Sequence, residues 1–103
     1  MAAEQFERLR PRLYLIRVVN GRLIGPPGAQ APVLVFRNET TAIWEARFQA
    51  YSRVDIVADQ TPVLGAFRGW NGLTSAIRYP SHSSTFLLMP AKNGTITAMY
   101  DRS

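Results

Sequence analysis

The sequence predicts an all-β protein, an antiparallel β-sandwich or partly open barrel, with a short helix or arm at the N-terminus. Apolar and polar residues alternate with a period of two in several stretches, which is typical of strands that bury one face. Three Asn-Gly pairs also lie between apolar runs, and this dipeptide favours the tight turns that join antiparallel strands. These pairs are Asn20-Gly21, Asn71-Gly72 and Asn93-Gly94.

Size and composition predict one globular domain. The chain has 103 residues, of which 47% are hydrophobic and 18% charged, so it can bury a core and does not resemble a disordered tail. We expect residues 1–11 to form the arm and residues 12–103 a single β domain. No apolar run approaches the roughly 20 residues of a membrane-spanning helix. The N-terminus lacks the apolar segment of a secretory signal, which predicts a cytoplasmic location or an intracellularly assembled particle.

The arm is predicted to be helical from Ala2 to Arg10, because Phe6 and Leu9 then share a face and Pro11 ends the helix. About nine residues do not form a stable helix alone in water. The arm is therefore expected to contact its own sheet or a neighbouring subunit. Its candidate interaction residues are Phe6, Leu9, Arg8, Arg10 and, just beyond the arm, Arg12.

The first half of the domain is predicted to hold a hairpin followed by a short apolar strand. Residues 12–19 alternate as a strand, Asn20-Gly21 is interpreted as a type I′ turn, and residues 22–24 begin the returning strand. Residues 25–32 contain three prolines and form a loop that cannot cradle a phosphate, because proline lacks an N–H donor. Residues 33–36 are a short and wholly apolar strand.

Residues 41–51 fit two structures. A strand places Trp44, Ala46 and Phe48 on one face, whereas a helix gathers Trp44, Phe48 and Tyr51 at positions i, i+4 and i+7. We favour the strand, because the alternation is long and both neighbouring segments are β. A helix would make the fold α+β.

The second half is predicted to contain five further strands. Residues 54–58 form one, and residues 63–70 form another in which Gly65, Ala66 and Gly69 indicate a bulge or the close approach of another backbone. Residues 73–79 return after Asn71-Gly72. Thr85 to Asp101 is predicted to be a hairpin turning at Asn93-Gly94. Its first strand, residues 86–89, is apolar on both faces and should be covered on both, while its second strand turns alternate residues towards the core.

Catalytic and metal-binding groups are scarce, so we predict no enzyme activity, cofactor or metal. His82 is the one histidine and lies in a polar loop. Asp55 and Asp59 are about 13 Å apart in an extended strand, which is too far for a carboxylate pair or a metal clamp. Without cysteine, the chain cannot form the usual Cys/His zinc site.

The formal net charge of +5 is compatible with an anionic partner. Eleven of the 12 basic residues are arginine, which suits phosphate recognition and protein interfaces, although coding bias in a GC-rich genome has the same effect. Arg68 lies between Phe67 and Trp70, and exposed aromatic residues beside arginine can stack on bases. A core position for these aromatic residues is the alternative.

Two functional hypotheses follow. In the first, the chain is a non-enzymatic structural or adaptor subunit that assembles with itself or docks into a larger complex, such as a virion-like particle. In the second, it is a basic nucleic-acid-binding module that uses its arginines. The expected partners are accordingly a second copy, other protein subunits or nucleic acid.

Overall fold

The computed structural model describes residues 12–60 and 63–101, and they form a β-sandwich of eight strands. The all-β prediction is confirmed, and the presence of two separate sheets selects the sandwich rather than the barrel. A five-stranded sheet has the order β3-β4-β1-β8-β6, and a three-stranded sheet has the order β2-β5-β7. The strands are β1 (Leu13–Val19), β2 (Gly21–Ile24), β3 (Val33–Arg37), β4 (Ala42–Gln49), β5 (Arg53–Ala58), β6 (Ala66–Asn71), β7 (Ser84–Leu88) and β8 (Gly94–Asp101).

β1 lies at the centre of the five-stranded sheet. It pairs antiparallel with β4 along its whole length and parallel with β8 through residues 16–19. The parallel pair departs from the purely antiparallel pairing expected from the sequence. Its partners come from opposite ends of the domain, so no local turn signal could have predicted it.

Residues 42–49 form the strand β4, as the alternation favoured. Ala42, Ala46 and Phe48 are buried, whereas Arg47 and Gln49 are exposed on the opposite face. The helix alternative fails because a period of two gives β4 one continuous buried face between β1 and β3.

The core lies between the two sheets and is built from the inward-facing residues of alternate positions. β1, β5, β7 and β8 contribute most of the residues with no exposed surface. These are Ile16, Val18, Val54, Ile56, Leu87 and Ile96, together with Met89 just after β7. The alternation predicted for residues 12–19 and for the C-terminal strand is therefore confirmed.

The predicted C-terminal hairpin is wrong. Both strands form, but β7 pairs with β5 in one sheet, whereas β8 pairs with β1 and β6 in the other. Neither Asn93 nor Gly94 has the positive φ that a type I′ turn requires. The Asn93 side chain instead accepts a hydrogen bond from the Leu15 N–H at 2.8 Å, which holds the connection against the start of β1.

The Asn20-Gly21 hairpin is also wrong, because β1 and β2 belong to different sheets. Asn20 has a φ of 60°, but Gly21 does not share the positive φ. The Asn20 side chain accepts a hydrogen bond from the Ala42 N–H at 2.9 Å, and its carbonyl oxygen accepts one from the Asp59 N–H at 2.9 Å. Asn20 thus joins the two sheets where the chain crosses between them.

The strand predicted after Asn71-Gly72 does not form. Leu73 has a φ of 48°, and Thr74–Ala76 is a short 3₁₀ helix. The bulge indicated by the small residues is confirmed, because the β6–β8 register shifts between Phe67 and Gly69. The prediction that residues 86–89 are covered on both faces is wrong for Leu88, which is 48% exposed on the outer face of the three-stranded sheet.

One lateral side of the sandwich, formed by β6 and β7, is covered by residues 72–82, and we call it the closed side. Ile77 forms a β-bridge with Leu87, and the Arg78 N–H donates to the carbonyl of Phe86 at 2.9 Å. On the other sheet, the Trp70 N–H donates to the carbonyl of Pro80 at 2.8 Å. The same segment therefore hydrogen bonds to the edge strands of both sheets.

The opposite side, formed by β2 and β3, has no such cover among the described residues, and we call it the open side. β3 is the last strand of the five-stranded sheet and β2 the last of the three-stranded sheet. The loop of residues 25–32, predicted from its prolines, connects them. The open side is where the candidate site lies.

Candidate interaction surface on the open side

β3 is an apolar strand that lies largely in solvent. Val33, Leu34, Val35 and Phe36 are 55%, 37%, 47% and 47% exposed, and no residue of the strand is buried. An isolated exposed apolar residue is ordinary, but four in succession along a sheet edge form a surface of the kind that proteins use for association.

The unequal size of the two sheets explains why the inward face of β3 is also exposed. β2 packs against β4 and β1. Within the described residues, no strand of the three-stranded sheet continues past β2, so β3 overhangs it. Leu34 stands opposite Trp44 in the β3–β4 pair and therefore faces inward, yet it remains 37% exposed. The sandwich is thus one strand short beneath β3.

A groove of about 400 Å³ runs along β2 on this side. Leu23, Ile24, Pro32 and Val57 give it mainly apolar walls, and Trp44 and Arg22 complete it. The guanidinium carbon of Arg22 lies 5.8 Å from the centre of the Trp44 ring. The Trp44 indole N–H is buried and has no acceptor among residues 12–60 and 63–101, which is an unfavourable state for a polar group. The groove is therefore incomplete in both packing and hydrogen bonding.

The upper end of the open side, where β2 begins and β3 ends, carries charge of both signs. Arg22, Arg37, Glu39 and Asp59 line a second cavity of about 510 Å³. None of these four groups is in an ion pair within the described part of the chain. The ion pairs of the described residues are Arg17–Glu45, Arg53–Asp55 and Arg68–Asp101. Two basic and two acidic groups thus remain available at this end.

Several residues predicted to interact lie elsewhere. Phe6, Leu9, Arg8 and Arg10 lie outside the described residues. Arg12 is exposed just before β1. Arg68 is exposed on β6, with a guanidinium nitrogen 3.3 Å from a carboxylate oxygen of Asp101. The structure does not bring Arg12 or Arg68 to the open side.

Trp70 is a core residue. It is 4% exposed, its indole N–H donates to the carbonyl of His82 at 2.8 Å, and its ring packs edge-to-face against Phe67 at 5.6 Å. Its position agrees with the core alternative stated for these aromatic residues. A buried, hydrogen-bonded indole offers no face on which a base could stack.

Sequence reasoning missed the open side as a site. The signal was present, since residues 33–36 are wholly apolar and follow a proline-rich loop. Such a strand is usually buried on both faces in the middle of a sheet. Only the strand order shows that β3 is an edge strand and that the opposing sheet ends before reaching it.

The described residues contain little chemistry of other kinds. His82 is exposed and stacks on the ring of Tyr79 at 5.1 Å. Within residues 12–60 and 63–101, no three potential metal ligands come together, and no helix has the length and hydrophobicity needed to cross a bilayer.

Tyr100 is the one described group with a clearly shifted pKa. Burial, together with the nearby negative charge of Asp59, raises the pKa of Tyr100 to about 12. Its hydroxyl contacts the carbonyl oxygens of Asn20, at 3.1 Å, and Asp59. A neutral hydroxyl can donate to these carbonyls, whereas a phenolate would be repelled by them. Tyr100 therefore links β8 by hydrogen bonds to Asn20, where the chain passes from β1 to β2, and to Asp59, just after β5.

Comparison of the chain with known protein families, with curated proteins and with solved structures finds no match.

Proposed function

We propose that the protein is a non-enzymatic structural or adaptor subunit that assembles with itself or docks into a larger complex through its open side. The observation that carries the proposal is β3, an edge strand with four consecutive exposed apolar residues. Burying each such side chain contributes about 1.5–3 kcal/mol relative to leaving it fully exposed, so a partner that covers β3 gains substantial stability.

The composition of β3 supports this proposal. Monomeric β proteins commonly protect an edge strand with lysine, an inward-pointing charge, proline or a bulge. The one lysine of the chain, Lys92, lies outside β3, and the one charge of the strand is Arg37, at its end and opposite Ala42. Pro32 precedes the strand and a register shift occurs between Leu34 and Phe36, so the edge is irregular but remains apolar.

The nucleic-acid-binding alternative depends on the arginines, because Trp70 is buried. It makes a distinct prediction, namely that affinity falls steeply as the salt concentration rises, since neutralised phosphates release counterions. Apolar association through β3 should depend much less on salt. Fluorescence anisotropy with single-stranded and duplex probes at about 50 and 200 mM salt distinguishes the two functions.

Size-exclusion chromatography with light scattering tests the assembly proposal directly. The wild-type protein should have a mass above the 11.5 kDa of one chain and shift towards that mass on dilution. The Leu34→Lys variant should have the monomer mass at every concentration, because lysine at 34 places a charge on the surface to be buried.

Leu88→Lys is the matched control, since Leu88 is 48% exposed but lies on β7, away from the open side. It should assemble as the wild type does. Equal masses for the wild type and Leu34→Lys, both folded by circular dichroism, would rule out self-assembly through β3.

A further inference from the structure

We propose that the partner of the open side is the open side of a second copy, with β3 of each copy adding to the free edge of β2 of the other. This inference rests on the proposed function and names the partner and the contact. Addition of a strand to an exposed sheet edge is a common mode of association, in which backbone hydrogen bonds supply affinity and alternate side chains supply specificity.

The strand directions allow this pairing. β1 and β3 both run antiparallel to β4, so they run the same way. β2 begins at Gly21, next to Asn20, which is hydrogen bonded to Ala42 at the start of β4. Arg37, at the end of β3, also pairs with Ala42. β2 therefore starts at the level where β3 ends, and the two strands run in opposite directions.

The backbone groups that point outward from β2 can be identified. The Ala58 N–H donates to Ser83 on the β7 side, and the Asp59 N–H donates to Asn20 on the β2 side. Successive residues of a strand direct their backbone N–H and C=O groups to opposite sides. The backbone groups of Val57 therefore point towards β2, where they meet those of its partner Arg22. The N–H and C=O groups of Gly21 and Leu23 consequently point away from β5, towards the open side.

The same reasoning applies to β3. The Asn38 N–H donates to the carbonyl of Thr41 at 2.8 Å, so Asn38 and Thr41 form a hydrogen-bonded pair. Hydrogen-bonded and non-hydrogen-bonded pairs alternate, so in the next pair the backbone groups of Arg37 and Ala42 point away from each other. The Arg37 groups therefore point outward. Beyond the register shift, Leu34 does the same, because Trp44 opposite it directs its groups towards β1. Outward groups thus occur at two positions on β2 and at two on β3.

These positions match across the proposed junction. Arg37 faces Gly21 of the second copy and Leu34 faces Leu23. The unpaired backbone N–H and C=O groups of β3 therefore meet those of β2. In the β3–β4 pair, the five residues of β3 lie opposite four residues of β4, and Val35 is the extra residue. In the proposed junction, the five residues of β3 lie opposite the four residues of β2 in the same way. The pairs are Val33 with Ile24, Leu34 with Leu23, Phe36 with Arg22 and Arg37 with Gly21.

The side chains also meet on the correct faces. Gly21 and Leu23 are buried towards the core, while Arg22 and Ile24 are exposed on the outer face. Leu34 faces inward opposite Trp44, and Val33 faces outward opposite Glu45. In the proposed register, inward residues pair with inward residues and outward residues with outward residues, which any continuous sheet requires.

The arrangement closes on itself. A two-fold axis parallel to the strands, placed between β3 and its symmetry copy, forms both junctions at once. Each five-stranded sheet continues into the three-stranded sheet of the other copy, which gives two stacked sheets of eight strands. Both free edges of the open side disappear in each copy, so the contact is isologous and forms a dimer rather than a fibre.

The second copy also completes the groove along β2. Its β3 takes the position beneath the overhanging strand and covers Leu34. It brings backbone carbonyls into the groove that holds the unpaired indole N–H of Trp44. At the upper end, Arg37 and Glu39 of one copy approach Asp59 and Arg22 of the other, so each basic group meets an acidic one.

Disulfide crosslinking tests the register, and the absence of native cysteine makes the readout specific. In the double variant Val33→Cys/Ile24→Cys, the two cysteines of one chain lie on different sheets, which are about 10 Å apart. A disulfide needs Cβ atoms about 3.8 Å apart, so it can form only between copies. After oxidation, most of the protein should migrate as a covalent dimer on non-reducing gels.

Each single variant, Val33→Cys or Ile24→Cys, is the matched control and should remain uncrosslinked, because neither residue meets its own copy across the axis. Val35→Cys tests the competing arrangement in which two β3 strands pair with one another around Val35. Crosslinking of Val35→Cys alone, with none in the double variant, would overturn the β2–β3 junction and leave assembly through β3 standing. A monomeric wild-type protein would overturn the inference and leave only docking to a different protein.

Discussion

The two lateral sides of the sandwich end their sheets in different ways. On the closed side, residues 72–82 bond to the edge strands of both sheets and bury Ile77 and Trp70, which are 5% and 4% exposed. On the open side, no strand of the described part of the chain pairs with the outer edges of β2 and β3, and Phe36 is 47% exposed. The difference shows that contacts within the chain cover the closed side, whereas the described residues leave the apolar edge of the open side uncovered.

The clearest test of this difference compares truncation of one aromatic residue on each side. Trp70→Ala removes a buried ring and its hydrogen bond to His82, so the free energy of unfolding should fall by about 3–5 kcal/mol. Phe36→Ala should change it by less than about 1 kcal/mol in the monomer, because that ring is already half in solvent. Urea denaturation at low protein concentration measures both, and equal losses would contradict the comparison.

A glycine pair tests the backbone of the two sides. Gly72 begins the covering segment of the closed side with a φ of 87°, and Gly28 lies in the loop of the open side with a φ of 84°. Alanine at either position should lower the free energy of unfolding by about 1–2 kcal/mol, because a residue with a Cβ is strained in the left-handed conformation. At Gly72 the added Cβ would lie 2.2 Å from the carbonyl oxygen of Thr95, whereas nothing lies within 4 Å at Gly28.

Gly72→Ala should therefore lower the free energy of unfolding by a further 1–3 kcal/mol or so compared with Gly28→Ala. Thermal melts of the two variants, recorded side by side, provide the measurement. Equal melting temperatures would show that the covering segment can shift away from β8 without cost.

The smallest expected effect concerns Tyr100, which lies between the two sides. Its folded pKa of about 12 is higher than the ordinary value of 10.0, so folding favours the neutral hydroxyl. The raised pKa of Tyr100 contributes fully to the free energy of unfolding below pH 10. This contribution is lost as the pH rises towards 12, because Tyr100 ionises in the unfolded chain before it ionises in the folded protein. Tyr100→Phe should lose about 1 kcal/mol at pH 7, through the missing hydrogen bond, and show a weaker alkaline decline.

Urea midpoints at pH 7, 9 and 11 for the wild type and Tyr100→Phe measure this effect. Tyr51→Phe is a matched control, because Tyr51 is 76% exposed and should leave the alkaline decline unchanged. Parallel curves for Tyr100→Phe and the wild type would mean that Tyr100 does not couple folding to alkaline pH.

The positions of most strands could be predicted from the sequence because a buried face leaves a local period of two. Residues 42–49 show this well, since Ala42, Ala46 and Phe48 are buried in alternation with more exposed residues. The bulge in β6 was also predictable, because small residues mark positions where another backbone comes close. In the structure, a Cβ added at Gly69 would lie 3.2 Å from the carbonyl oxygen of Pro80.

Strand pairing was not predictable in the same way, because none of the three Asn-Gly pairs joins two strands in a hairpin and the glycines of two pairs lie against distant side chains. A Cβ on Gly21 would lie 2.7 Å from the Trp70 ring, and one on Gly94 would lie 2.6 Å from the Leu73 side chain. At Gly21 the backbone oxygen of Val57 is also 2.9 Å away, so glycine is needed there, whereas at Gly94 the Leu73 side chain would have to move. The local sequence resembles a turn signal, and only the tertiary structure shows the actual reason.

The candidate site could not be located for a related reason. Whether an apolar strand is buried or exposed depends on its place in the sheet and on how far the opposite sheet extends. Leu34, which faces inward opposite Trp44, would be a core residue in a sandwich of two equal sheets. It is 37% exposed because the sheets contain five and three strands.

The parallel pairing of β1 with β8 has a consequence for how the molecule is made. β8 follows the other seven strands in the chain, yet it joins β1 to β6 within the larger sheet. During synthesis, β6 has no neighbour in that sheet until β8 has left the ribosome. Native structure should therefore form late and slowly, as is usual where sequence-distant strands must pair, and nascent chains that stop before residue 94 should be sensitive to protease.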